Sequence, residues 1–424
     1  MTRRWYEWMA AAWLAVGVAG CDAPEDAAVS EELPADRVVE PAAPQRTLEV
    51  EASAELTAHG KELVSTYQCN RCHGIPSIAP PEAEYDCVGC HLQILGGTYD
   101  ATPEELAKWQ GELRSLDDVP TLAHTDRFQR AWLVEFLPDA HDVRPALLAS
   151  MPRFDMPKED AEALAAFLVP SAEPEAPALG DAARGRGLLE SKGCGSCHRM
   201  SGVPFLPARP TPTPLEPAVF AKGQKLAPDL RHARARMRPA SLVAWIVDPQ
   251  AVKPGAAMPS MGITQEEAAD IAAYLIETPL EPVPVLDVPT LPPVLERAVT
   301  YEEVYDRIFG RICRHCHGDP NEFIGEGGPG FGGGFGFHKR GLDLSTYSGL
   351  RSGSLDDNGK RRSVFKPIGD KPKIVAHLMA RHAEVAGQPV EGVRGMPLGL
   401  PPLPLEDIGL LNTWIAQGRR GPAE

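Results

Sequence analysis

Cysteine is almost absent outside one recurring pentapeptide. Eight of the nine cysteines lie in four copies of C-x-x-C-H. The copies are Cys69-Asn70-Arg71-Cys72-His73, Cys87-Val88-Gly89-Cys90-His91, Cys194-Gly195-Ser196-Cys197-His198 and Cys313-Arg314-His315-Cys316-His317. A single cysteine, Cys21, is left over, too few for a disulfide framework. A zinc reading would need two pairs to share one ion and would leave the adjacent histidines unexplained. Aromatic residues are scarce, at 6%, so the cores need another source of apolar bulk. Positive charge is outnumbered: 42 Lys and Arg stand against 58 Asp and Glu, a formal net charge of −16. That excess argues against nucleic acid as a partner, because phosphates would be repelled. Long apolar runs are lacking as well. The stretch from Trp8 to Ala19 is shorter than the ~20 residues that span a bilayer.

What is present is chemically specific. Two thiols three positions apart can each add to one vinyl group of a haem, and the histidine that follows is then held under the iron. Four complete motifs predict four covalently bound haem c groups. The thioethers come from Cys69, Cys72, Cys87, Cys90, Cys194, Cys197, Cys313 and Cys316. The proximal ligands are His73, His91, His198 and His317. The haems would supply the missing apolar core. Attachment of this kind takes place outside the cytoplasm, so the chain is expected to be exported.

The N-terminus agrees. Arg3 and Arg4 precede the apolar stretch, which ends Val18-Ala19-Gly20-Cys21. This resembles the lipobox of bacterial lipoproteins. It predicts a signal peptide over 1–21, lipidation of Cys21, and residence at the periplasmic face of a bacterial membrane. Asp22 follows; in enterobacterial lipoproteins an aspartate there implies the inner membrane. Residues 22–52 are rich in Ala, Pro, Glu and Asp without a hydrophobic period, which predicts an acidic, disordered tether.

The rest divides into three parts. Residues 53–170 carry two motifs, and only thirteen residues separate His73 from Cys87. These two haems are expected to sit in one module. Residues 179–279 carry the third motif and 295–424 the fourth. Pro-rich segments at 170–178 and 279–294 read as extended linkers that let the parts separate. The first two parts look like an internal repeat. Pro120-Thr121-Leu122-Ala123-His124 parallels Pro228-Asp229-Leu230-Arg231-His232, and Met151-Pro152 parallels Met258-Pro259. Residues 325–336 are mostly glycine and read as a mobile loop.

At 179–279 the chain resembles a class I cytochrome c. That family has an N-terminal helix, C-x-x-C-H, a P-x-L loop, a Trp-bearing helix, a Met-Pro loop and a C-terminal helix. Here they are Cys194 to His198, Pro228 to Leu230, Trp245, Met258-Pro259 and Ala268 to Leu275. The first part is similar but carries the extra Cys87 motif. The third resembles bacterial cytochrome domains in Gly341-Leu342-Asp343-Leu344-Ser345-Thr346-Tyr347, in Met396-Pro397 and in Trp414-Ile415. The resemblance implies an all-α fold of three tandem cytochrome c-like domains. It also implies distal methionine ligands: Met258 for the Cys194 haem, Met151 for the Cys69 haem and Met396 for the Cys313 haem. His338, His377 and His382 rival Met396; Met156 and Met261 read as core. The His91 haem has no obvious partner among His124, His141 and Met156. His141 is the candidate, because His124 has a counterpart, His232, in a part with no second haem.

The leading function is a membrane-tethered tetrahaem electron carrier between redox protein partners, among them a membrane oxidoreductase. No catalytic acid, base or nucleophile is suggested. The alternatives are a haem enzyme of the peroxidase or sulfur-compound dehydrogenase type, open at the His91 iron, and a fixed cytochrome subunit of a respiratory complex.

Overall fold

A computed structural model describes residues 49–113, 116, 118–208, 215–319 and 328–422. The expected signal peptide, Cys21 and the tether up to residue 48 lie outside them. The described residues are helical, with two small antiparallel hairpins: Ser354–Leu355 with Arg361–Arg362, and Pro367–Ile368 with Lys371–Pro372. No helix among them is long and apolar enough to cross a membrane.

The two repeat segments are built the same way. Ala54–Thr66 starts at Ser53, whose hydroxyl accepts from the Leu56 amide at 3.2 Å. It crosses Lys158–Leu168, which carries a run of buried alanines and leucines. The crossing is close because Gly60 has no side chain: a Cβ there would lie 2.0 Å from the Ala163 carbonyl oxygen. In the second segment Asp181 caps Ala182–Ser191, and a Thr264–Glu267 capping box starts Gln265–Glu277. A Cβ on Gly185 would lie 2.0 Å from the Asp270 carbonyl oxygen. Glycine thus sets the same first-helix to last-helix approach in both repeats. Arg184 clamps the second crossing with two 2.9 Å bonds to the Asp270 carboxylate.

The repeats do not separate on a linker. Phe128 and Met237 form an antiparallel bridge, flanked by Gln129 N–H to Arg236 C=O at 3.0 Å and Arg238 N–H to Arg127 C=O at 2.9 Å. One hydrophobic core runs across the seam, from Phe128, Leu133 and Leu168 to Leu242, Ile246 and Ile271. The 170–178 segment is fixed on this seam. Arg238, 1% exposed, donates to Glu49 at 2.8 Å and to the Ser171 carbonyl at 2.8 Å. Glu173 N–H bonds the Glu49 carbonyl at 2.8 Å. The freely moving linker expected from composition is therefore corrected, and so is the end of the tether: residues 49–52 are docked. Buried arginine needs its acceptors, and Glu49, Ser171 and Ala172 supply them beside the Asp126 carbonyl.

The last segment has its own core, from Val299 and Phe309 to Leu411 and Trp414. The described part of the glycine-rich loop is docked, not loose. Gly336 N–H bonds the Thr66 carbonyl at 3.0 Å, and Phe335 lies 6.5 Å from the Phe154 ring and 5.3 Å from the Arg71 guanidinium. Gly334 and Gly336 have φ of 158° and 79°, and a Cβ on either would meet Gln68 or Tyr67 within 2.7 Å. Glycine here serves close approach. Arg381 also donates to the Ala149 carbonyl at 2.6 Å. The 279–294 spacer is held by Glu281 N–H to the Gly202 carbonyl at 2.9 Å and Gln388 to the Leu286 carbonyl at 2.7 Å.

Candidate haem sites

Two of the four motifs share one geometry. After the Ala54–Thr66 helix, Gln68 takes a left-handed turn, φ 51°, into a 3₁₀ turn at Cys69–Arg71. Gly193, φ 77°, does the same before Cys194–Ser196. In each, the carbonyl of the first cysteine accepts from the second cysteine at 3.2 Å and from the histidine amide at 2.9 Å. A second loop then fixes the imidazole. His73 Nδ1 donates to the Pro120 carbonyl at 2.7 Å, and His198 Nδ1 to the Pro228 carbonyl at 2.9 Å. Leu122 N–H to Gly74 C=O and Leu230 N–H to Arg199 C=O, both 2.9 Å, lock the loops in place. A carbonyl can only accept, so Nδ1 carries the proton and Nε2 keeps its lone pair for a metal. Burial lowers the pKa of both rings, which keeps them neutral and ready to ligate.

The His91 motif is different. It lies inside the helix Cys87–Leu95, capped by Asp86 on the Gly89 amide at 2.8 Å. The Cys72 thiol hydrogen-bonds the Cys87 sulfur, which holds Cys72 above and Cys87 below the usual thiol range. Arg71 reaches the Tyr85 carbonyl at 3.3 Å and joins the two motifs further. The first and second motifs are thus in direct contact through their sulfurs.

The fourth motif is helical, in Arg314–His317 after the π-helical run Tyr305–Cys313. His317 Nδ1 is buried with no hydrogen-bond partner among the described residues. Gly330 lies against this ring; a Cβ would come within 1.6 Å of Nδ1. Burial, and then the neighbouring His377, push His317 down to about 4. His377 is oriented by Nδ1 donating to the Arg394 carbonyl at 2.7 Å, and the Met396 amide bonds the His377 carbonyl at 2.8 Å. His377 and Met396 therefore stand side by side. His382 is bonded to the Leu403 carbonyl at 2.8 Å, and His338 is exposed.

Of the other candidates, Met258 receives the Trp245 indole N–H on its sulfur at 3.1 Å, and Gln250 holds its carbonyl at 3.1 Å. Met151 is half-buried against the core of Leu63, Val64 and Leu164, and Met156 is inside that core. Met261 packs on the shared core of the two repeats. The His141 ring lies against Phe136 at 5.4 Å and His232 at 6.1 Å, with Nδ1 on the Asp139 carbonyl. Its surroundings are those of the seam, and these contacts give no support to His141 as the ligand of the His91 haem. His124 takes a left-handed φ of 60° and its carbonyl accepts from Arg127.

The donor set fits covalent haem. All eight described cysteines are free thiols, and burial raises Cys69 and Cys313 to about 12. Among the described residues no three or more His, Cys, Asp and Glu side chains gather to hold a bare metal ion. Haem also brings propionates, and buried cationic donors stand without partners: Arg231 Nη1, and Arg236 Nε on the seam. Sequence reading missed these arginines. The available signal was position: Arg127 and Arg236 each follow shortly after a Pro-x-Leu loop.

The family model of cytochrome c matches residues 182–278. No curated protein and no solved structure matches the chain.

Proposed function

We propose that this chain is a lipid-anchored tetrahaem c-type cytochrome that passes electrons between redox proteins outside the cytoplasm. The match at 182–278 supports a cytochrome c domain, with covalent haem and electron transfer as its chemistry. The observation that carries the extension to the first segment is the repeated ligand geometry: His73 on Pro120 and His198 on Pro228, each with the same flanking loop bonds. The haem iron supplies one-electron chemistry when bound. The chain's own residues do the rest. The Pro-x-Leu loops orient His73 and His198, the glycine crossings close the helices around them, and the buried cores exclude water. Met258, Met151 and Met396 are the proposed distal ligands. A methionine in that place raises the potential and closes the iron to small ligands. The Cys72–Cys87 contact brings two motifs together, so electrons can pass between their haems without a protein rearrangement.

Anchoring rests on Val18-Ala19-Gly20-Cys21. Cys21→Ser is expected to abolish lipidation and release the protein from the membrane fraction, or leave it unprocessed. Membrane retention equal to the wild type, with normal processing, would count against the lipid anchor.

A further inference from the structure

The seam between the two repeats buries more positive charge than it neutralises. Arg127, 9% exposed, lies 4.1 Å from the Phe128 ring, and Arg236 lies 4.6 Å from the same ring. Two guanidinium groups thus share one aromatic ring. Each also reaches a tryptophan of the other repeat. Arg127 is 5.7 Å from the Trp245 ring, and Arg236 is 5.3 Å from the Trp132 ring. Lys253 and Arg144 belong to the same group: burial, and then Arg127, Arg236 and Arg144, push the Lys253 ammonium down. Burial, and then Arg127 and Arg144, lower Arg236 to about 9.

Carboxylates are few. Asp142 binds Arg144 at 2.8 and 2.7 Å. Among the described residues Arg127, Arg236 and Lys253 have no ion pair, and Arg236 Nε has no hydrogen-bond partner at all. Cations withdrawn from water, fully as at Arg127 or partly as at Arg236 and Lys253, are costly without counter-charges. A fold that gathers them requires anions. The position of the group says which anions. Trp245 bonds the Met258 sulfur, so it borders the site of the His198 haem. Arg127 follows the Pro120 loop that fixes His73, and Arg236 follows the Pro228 loop that fixes His198.

We infer that Arg127, Arg236 and Lys253 form one shared carboxylate site across the seam, which holds propionates of both the His73 and the His198 haems. Two haems bring four carboxylates, enough to neutralise the group. The two haems are then linked through a common set of cations, and a change at one seam residue is felt by both. The inference rests on the haem reading above and deepens it: it assigns residues to the propionates and names a second coupled pair.

The test uses the full-length holoprotein. Ferric haem carries one more positive charge than ferrous, so removing a nearby cation favours the ferric state. Arg236→Gln should lower two of the four one-electron components together in a spectroelectrochemical titration, and shift the propionate bending bands in resonance Raman spectra. Arg127→Gln and Lys253→Gln give the same test, and serve alone where Arg236→Gln does not fold. Full haem loading with no component moved, or with one moved alone, overturns the shared site. A wild-type protein lacking haem at His73 or His198 overturns the haem reading itself, which separates the two failures.

Discussion

Replacing Met258 by alanine is expected to lower the midpoint potential of the Cys194 haem by on the order of 0.1 V or more, since axial ligation spans roughly 0.8 V across haem proteins. The same variant should lose the methionine-to-iron absorption band of that haem and bind carbon monoxide, which the wild-type site should refuse. Met258 stands before the Gln265–Glu277 helix, and its carbonyl is held by Gln250 at 3.1 Å. Its sulfur takes the Trp245 indole N–H at 3.1 Å, which restrains the side chain within the matched family segment. A thioether stabilises ferrous over ferric iron, so its loss favours oxidation and opens a coordination position. Retention of the absorption band in Met258→Ala would show that Met258 is not the ligand.

The second large effect concerns the His73 and His91 haems. Removing the second motif with Cys87→Ala and Cys90→Ala should delete one redox component and shift another. The two motifs touch: Cys72 hydrogen-bonds Cys87, and Arg71 spans to Tyr85. Two unit charges roughly 10–15 Å apart interact by about 1–2 kcal/mol at an effective dielectric of ~20. For a one-electron couple that is about 40–90 mV. The wild-type protein should accordingly show interacting steps for this pair. The measurement is a redox titration followed by optical and electron paramagnetic resonance spectra. If the remaining three components keep their wild-type potentials, the pair is not coupled. With the seam site added, His91, His73 and His198 form a connected series.

Much of the site was legible before any fold was known, because the motif is local. In two copies the first cysteine carbonyl takes the amides of the second cysteine and the histidine, at 3.2 and 2.9 Å. The Pro-x-Leu repeat was also readable, and its function is visible in the His73 and His198 bonds. The helices around them follow from their caps and periodicity, as at Thr264 and Glu267. What could not be read was docking. Pro-rich composition at 170–178 suggests reach, yet Ser171 and Ala172 carbonyls are needed by a buried Arg238. Glycine-rich composition at 328–336 suggests mobility, yet the missing Cβ atoms of Gly334 and Gly336 admit Gln68 and Tyr67. Composition reports what a segment can do in isolation, and long-range partners decide what it does. His141 shows the same limit. As a lone histidine it was open to a ligand role, but Phe136 and His232 are its neighbours.

The fourth motif site differs from the first and third in a way its pentapeptide does not reveal. Its C-x-x-C-H is helical, its histidine Nδ1 has no partner among the described residues, and His377 stands beside Met396. The difference arises in the preceding π-helical run, Tyr305–Cys313, which enters the motif without the left-handed residue that Gln68 and Gly193 provide.

The central claim is that each of the four motifs carries a covalent haem. Intact mass spectrometry of the denatured holoprotein, produced in a host with complete haem-attachment machinery, tests it most directly. The account predicts a mass above that of the mature chain by four haems, with all eight motif cysteines resistant to alkylation. A mass excess of three haems or fewer, with a motif pair open to alkylation, would contradict it.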